Sequence, residues 1–330
     1  MAVRNRIDQA LTNLVTQFPD QDDNLIEFFL PSAPVDHTSG LYYAWSKSRD
    51  LELLSTTPLT DEDRIPEKII VLDDDKRYQC KPYAVQAPAG RIYTQDAAPH
   101  LNWQQRLAVA AARSLRLTLR ADAILNTLRN PAKVPTVTYL AQRRWDNTAS
   151  PDSTPLIDLE QYINQVTNDC GHRPNRVGMV REVWTALKNH GDTLDRLKYT
   201  QNGAVLTPDK LCEMLDIEPG SVKIFDTQYR SSRDGQTKAF KKYLGSDVII
   251  EYVQPPSLEN AGFGFTFAFG GFGAQKIAIV NAYDQLRGAL GTDYQRAFAM
   301  VDFNISIPEA GLRLASVVNP LDAKYRGFLD

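Results

Sequence analysis

At 330 residues and 43% hydrophobic content, the chain is long enough to bury a core of ordinary size, as one large or two ordinary domains. A formal net charge of -3 argues against a dedicated nucleic-acid binder, which needs a clear excess of Lys and Arg on at least one face. The opening Met1-Ala2-Val3-Arg4-Asn5-Arg6 has no apolar signal core, and no window approaches the roughly 20 apolar residues of a membrane span.

Ile7, Leu11, Leu14, Val15 and Phe18 fall at helical spacing and form one apolar stripe, closed by the acidic cluster of Asp20, Asp22 and Asp23. Burying about four such side chains contributes roughly 6 to 12 kcal/mol before ordering costs, so the stripe needs a partner. That partner is either its own domain or a neighbouring molecule. From 41 to 94, short β-rich runs alternate with turn material: 41–45 with Tyr42, Tyr43 and Trp45, then 68–72, 77–85 and 91–94. Asp73-Asp74-Asp75 reads as a hairpin turn. Such thin runs suit either a long two-stranded excursion that packs on other chains or a small β-subdomain on its own chain.

Residues 101–130 are the longest helical candidate, with Leu107, Ala111, Leu115, Ala121, Leu125 and Leu128 on the apolar face and Pro131 as the stop. Residues 115–120 also alternate with period two, the signature of a strand, but lie among Ala-rich helix formers. Arg106, Arg113, Arg116 and Arg120 share one side of the expected helix. They form either a solvated face or a surface turned towards nucleic acid or a neighbour's acidic loop.

Residues 133–139 read as a strand, and the polar, turn-rich stretch 146–155 as a domain boundary. A helix follows over 158–170, with Gly171 placed for a left-handed C-terminus. Next come a strand over 176–180 and a helix over 182–188, stopped at Asn189-His190-Gly191. Thr207 and Pro208 open a short helix to Leu215, and strands cover 221–227 and 247–253 before Pro255-Pro256. Phe263, Phe265, Phe267 and Phe269 alternate as one face of a strand. Two late β-rich runs, 297–307 and 312–318, are placed to pair across the turn at Pro308-Glu309-Ala310-Gly311.

Catalytic signatures are missing where they would be expected. The Gly-rich run 262–273 has no Gly-Lys-Ser/Thr ending and fails the dinucleotide spacing at the third glycine. His37, His100, His172 and His190 show no ligand spacing, although His172 and His190 flank one strand–helix unit. The acidic clusters, including Asp61-Glu62-Asp63, lack the calcium-loop pattern. Cys80, Cys170 and Cys212 are odd in number without a Cys-x-x-Cys pair, and read as reduced, mostly buried thiols of a cytosolic compartment. No Gly-x-Ser-x-Gly elbow occurs. The expectation is no enzyme, no metal and no cofactor.

The order of these elements resembles the major capsid proteins of tailed bacteriophages, the capsid E family with the Hong Kong 97-type fold. The resemblance lies in Arg173-Pro174-Asn175 ahead of a strand and the Val183-Trp184 helix, in Leu206-Thr207-Pro208-Asp209, and in the strand ending Val253-Gln254-Pro255-Pro256. It continues through the aromatic, Gly-rich run 263–273 and the terminal run 311–318, and so covers roughly the C-terminal half of the chain.

The resemblance implies an α+β, Hong Kong 97-like capsid fold: an N-terminal arm at 1–36, an E-loop at 37–97, and a spine helix with P-domain at 98–152. An A-domain at 153–292 and C-terminal strands at 293–330 complete it. It also implies self-assembly into pentamers and hexamers of an icosahedral head, with scaffolding protein, portal protein, cement or decoration protein and packaged double-stranded DNA as partners, and no membrane. The expected place is the virion, assembled in the host cytoplasm. The sequence opens on the candidate arm without a long helical leader, which leads to the expectation of a separate scaffolding protein. On this view Ile7, Leu11, Leu14, Val15, Phe18, Tyr42, Tyr43 and Trp45 are candidate subunit contacts, and the four arginines face DNA or a neighbour. Two other readings are an encapsulin-like compartment and a soluble α/β enzyme with a site near His172 and the Gly-rich run.

Overall fold

The computed structural model describes residues 8–17, 24–42, 47, 76–90, 102–148, 150–198, 205–232, 235–257, 262–270, 277–287 and 291–319. The first helix, α1 (Gln9–Gln17), starts where the Asp8 carboxylate accepts from Leu11 N at 3.1 Å. A second, α2 (Asn24–Phe29), buries Leu25, Phe28 and Phe29. Strands β1 (Ser32–Val35), β2 (Ser39–Leu41), β3 (Arg77–Gln79) and β4 (Lys81–Gly90) follow.

The long helix α3 (Trp103–Ala121) begins at Asn102, whose side chain accepts from Gln105 N, and continues as a π-helical turn over Asp122–Leu128. Its Ala108, Ala111, Ala112, Leu115 and Leu119 are buried, so the helical spacing decides the 115–120 stretch against its period-two alternation. After β5 (Thr136–Thr138) comes α4 (Pro155–Cys170), closed by Gly171 at φ 81°. Then follow β6 (Arg176–Val180), α5 (Arg181–Asn189), α6 (Gly191–Lys198) and α7 (Pro208–Met214). The remaining strands are β7 (Val222–Phe225), β8 (Gln228–Arg230), β9 (Phe240–Lys242), β10 (Val248–Glu251), β11 (Gly264–Phe269), β12 (Ala278–Asp284), β13 (Thr292–Ile305) and β14 (Gly311–Ala315).

Among the described residues two five-stranded sheets carry most of these strands, and β2-β3 and β8-β9 pair as two-stranded ribbons. The first sheet has the order β1-β11-β13-β12, with β4 on the other side of β13; the second runs β5-β14-β10-β6-β7. Along β13 the inward residues Ala297, Ala299, Val301, Phe303 and Ile305 alternate with outward ones, and α3 packs on β13 and β4. In the second sheet β10 and most of β6 are buried on both faces, which explains runs such as Val248-Ile249-Ile250. One continuous core joins the two sheets and their helices. A smaller core of Ala33, Val35, Tyr42, Tyr78, Cys80, Phe265 and Phe267 sits under the β2-β3 ribbon.

Two sequence expectations change here. Strands β13 and β14 do not pair with each other: β13 belongs to the first sheet, while β14 lies between β10 and β5 in the second. The 3-10 turn Pro308–Ala310 is therefore a crossing between sheets, and a methyl group at Gly311 would overlap the Phe263 ring that fills this corner. The alternating phenylalanines also divide, with Phe263, just ahead of β11, in the main core and Phe265 and Phe267 of β11 in the smaller one. The β-runs at 43–45, 68–72 and 91–94, the turn at 73–75 and the acidic clusters at 20–23 and 61–63 lie outside the described residues.

Candidate subunit-interface surfaces

The described part of the N-terminal segment, residues 8–17, docks on its own chain in this structure. Asp8 N donates to Ile279 O at 2.9 Å, Ile279 N donates to Thr12 Oγ1 at 3.1 Å, and Asn281 Nδ2 donates to Asp8 Oδ2 at 2.9 Å. Helix α1 thus covers the outer edge of β12, a position where an unpaired strand invites foreign pairing. Leu11 joins the main core and Leu14 is half-buried, whereas Ile7, Phe18 and the Val15 side chain lie outside the described residues.

Tyr42 is not a surface residue either. Its ring packs at 5.3 Å from Phe267, which Tyr78 stacks against at 4.8 Å, and burial raises the Tyr42 hydroxyl above its ordinary pKa. The neighbouring Tyr43 and Trp45 fall outside the described residues.

Of the four arginines, Arg106 and Arg113 are exposed and Arg116 is half-exposed, but Arg120 is 3% exposed. The stripe is three residues long on the surface. Arg120 is covered because Tyr243 lies over the last turns of α3, its hydroxyl donating to Leu117 O at 3.1 Å; burial raises that hydroxyl's pKa and the Arg120 charge opposes the rise.

Three polar junctions that hold these surfaces in place have no local sequence signal. Asp247 accepts from Arg129 Nε at 2.9 Å, from Arg313 Nε at 2.9 Å and from Ser316 N at 3.1 Å, tying the end of the π-helical turn to β14. Asp158 accepts from Tyr139 Oη at 2.8 Å, Arg143 Nη2 at 3.0 Å and Trp145 Nε1 at 3.3 Å, which locks α4 to the segment before it. At the third junction Asp226 takes Arg181 Nε at 2.5 Å and Lys242 Nζ at 3.2 Å, while Lys242 also reaches Glu182 at 2.7 Å. Burial opposes ionisation of Asp226, but Arg181 and Lys242 prevail and its pKa is lowered. This junction braces the β8-β9 ribbon, together with Tyr229 against Tyr243 at 4.8 Å.

The two histidines near the 176–189 unit have separate neighbours. His172 stacks on Tyr252 at 4.8 Å, and the buried His190 sits 3.2 Å from Ser153 Oγ. Among the described residues, no three His, Cys, Asp or Glu side chains are placed to hold a metal ion. Cys80, Cys170 and Cys212 are buried free thiols, and burial pushes the Cys80 thiol up to about 11.

No protein-family model matches the chain. Among curated proteins, it is similar to the major capsid protein of Burkholderia phage BcepMu, 20% identical over 161 residues; the match takes in 49% of this chain and spans about half, 50%, of that relative. Its fold is similar to a phage-related protein of Bordetella bronchiseptica RB50, with a TM-score of 0.69 and 23% identity over 96% of this chain and 99% of the other. A chain of the satellite phage P4 procapsid, solved with its size determination (Sid) protein, superposes with a TM-score of 0.52 at 11% identity, over 96% and 92% of the two chains.

The chain has the Hong Kong 97-like capsid fold. The capsid fold is shared by an encapsulin complex of Synechococcus elongatus PCC 7942, TM-score 0.51 at 10% identity over 97% and 98% of the chains. Architecture alone does not separate a phage head from an encapsulin shell.

Proposed function

We propose that the chain is the major capsid protein of a tailed phage, assembling as pentamers and hexamers into an icosahedral shell around double-stranded DNA. The observation that supports this best is that 96% of the chain superposes on a chain of the satellite phage P4 procapsid. The curated sequence relative from phage BcepMu favours a phage head over an encapsulin. In this reading α3 is the spine and the first sheet, with β4 and the β2-β3 ribbon at its edge, forms the P-domain and the root of the E-loop. The second sheet with α4 to α7 is the A-domain, which departs from the expected 153–292 by giving up β11 and β12 to the first sheet and taking in β5 and β14. The role is structural, with no catalysis, and its place is the virion after assembly in the host cytoplasm.

Scaffolding, portal and cement proteins are the further partners of this reading, and DNA is met electrostatically, without sequence preference, through Arg106, Arg113 and Arg116. The purified particles decide between phage head and encapsulin. Nuclease-protected double-stranded DNA inside particles from phage-producing cells is the expected result, and protein cargo without nucleic acid would contradict it.

A further inference from the structure

We propose that the β8-β9 ribbon of one subunit docks on the acidic segment 205–220 of the next copy, so that capsomer rings close through a charge-matched head-to-tail contact. The inference rests on the shell reading above and assigns one of its contacts.

The ribbon has an anchor and a charge. Residues 228–242 carry five basic side chains, Arg230, Arg233, Lys238, Lys241 and Lys242, against one acid, Asp234. Lys242 turns down to Asp226 and Glu182, while Arg230, Lys238 and Lys241 are exposed, Arg230 with its Nε on Ser232 Oγ at 3.1 Å. Between these cations Phe240 is 56% exposed on a ribbon whose base is pinned by ion pairs and by the Tyr229–Tyr243 contact. A large aromatic held on a braced, charged element has the make-up of an interface anchor.

The segment 205–220 has the opposite character. Asp209, Glu213, Asp216 and Glu218 are exposed there against the half-buried Lys210, and Asp216 lies 3.5 Å from Arg173. Asp209 and Glu213 share one face of α7, four residues apart. Val205, 59% exposed at the start of the segment, supplies an apolar surface for an aromatic ring.

Placement turns these two patches into a ring contact. The acidic segment leads into β7 and the basic ribbon leaves its far end, and β7 is the outermost strand of its sheet. Along the chain the two patches are separated by the four-residue strand β7 and its flanking turns. A two-fold contact centred on either patch alone would set like against like, whereas successive copies related by rotation set ribbon against acid segment at every step.

The test uses two full-length variants, altered only at exposed positions where folding is insensitive. One carries Arg230→Glu, Lys238→Glu and Lys241→Glu; the other carries Asp209→Lys, Glu213→Lys and Glu218→Lys. Both should keep the wild-type thermal transition, and each alone should raise the concentration needed for assembly at least tenfold in sedimentation velocity. Mixed in equal amounts, they satisfy every contact only by alternating, which a six-membered ring permits and a five-membered ring does not. Hexamers, sheets or tubes should appear without closed icosahedral shells, and a chain bearing all six changes should regain shells. Phe240→Ala, which alters no charge, should weaken assembly while leaving the monomer's transition in place. Wild-type assembly by either triple variant, or a mixture no better than its components, overturns the contact while leaving the shell reading intact. A wild-type chain that does not assemble overturns both.

Discussion

Glu251 shows at the residue scale how an ionisable group becomes a stability switch. Its side chain is fully buried at the end of β10, and neither carboxyl oxygen has a hydrogen-bond partner among the described residues. Burial raises its pKa well above the ordinary 4.5, against the opposing charge of Arg176, whose guanidinium lies 4.8 Å from the Phe28 ring centroid. For an acid with a raised folded pKa, the stabilisation from the retained proton is complete below the unfolded value. It is lost as pH rises towards the folded pKa, with a slope of about 1.4 kcal/mol per pH unit. Glu251→Gln removes that titration, so its stability relative to wild type should improve between pH 5 and pH 8 in thermal melts. Parallel pH profiles would mean that the carboxylate finds a partner. The same scale explains what sequence reasoning missed. Arg120 looked like its three neighbours because the residue that covers it, Tyr243, is more than a hundred positions away. Asp247 and Asp158 gave no sign because their partners are named by the fold rather than by spacing.

Single elements depend on close approaches that a periodicity cannot reveal. Helix α2 lays Phe29 across β6 at Gly178, where a methyl group would fall inside the ring. Gly178→Ala should therefore cost about 1 to 3 kcal/mol by overpacking, read as a lower midpoint in urea, and an unchanged midpoint would show that α2 shifts freely. The α1 segment belongs to this scale as well. Deleting residues 2–24 removes Leu11 from the core and uncovers the edge of β12, yet leaves both sheets intact. A cooperative unfolding transition with impaired shell formation is expected, and normal shells would remove the segment from any assembly role. Elements whose signals are local were legible: Gly171 ends α4 at φ 81°, and Thr207 caps α7 by accepting from Lys210 N at 3.3 Å. The β13-β14 pairing was not, because a run of alternating residues says that a strand exists and nothing about which of two sheets receives it.

The proposed assembly belongs to the whole molecule. Both sheets collect strands from distant parts of the chain, so the subunit folds as one interlocked body, while Leu286 at 97% exposed and Phe240 at 56% remain uncovered by it. The order of elements over 171–256 carried the resemblance to phage capsid proteins because order survives where identity has fallen to 23% or less. The proposed contacts between copies were not legible in that order, since they depend on which faces the fold leaves outward. Cryo-electron microscopy of the purified full-length chain at high concentration tests the account most directly. It predicts closed shells whose density accepts this subunit in five- and six-membered rings; a dispersed monomer under the same conditions would contradict it.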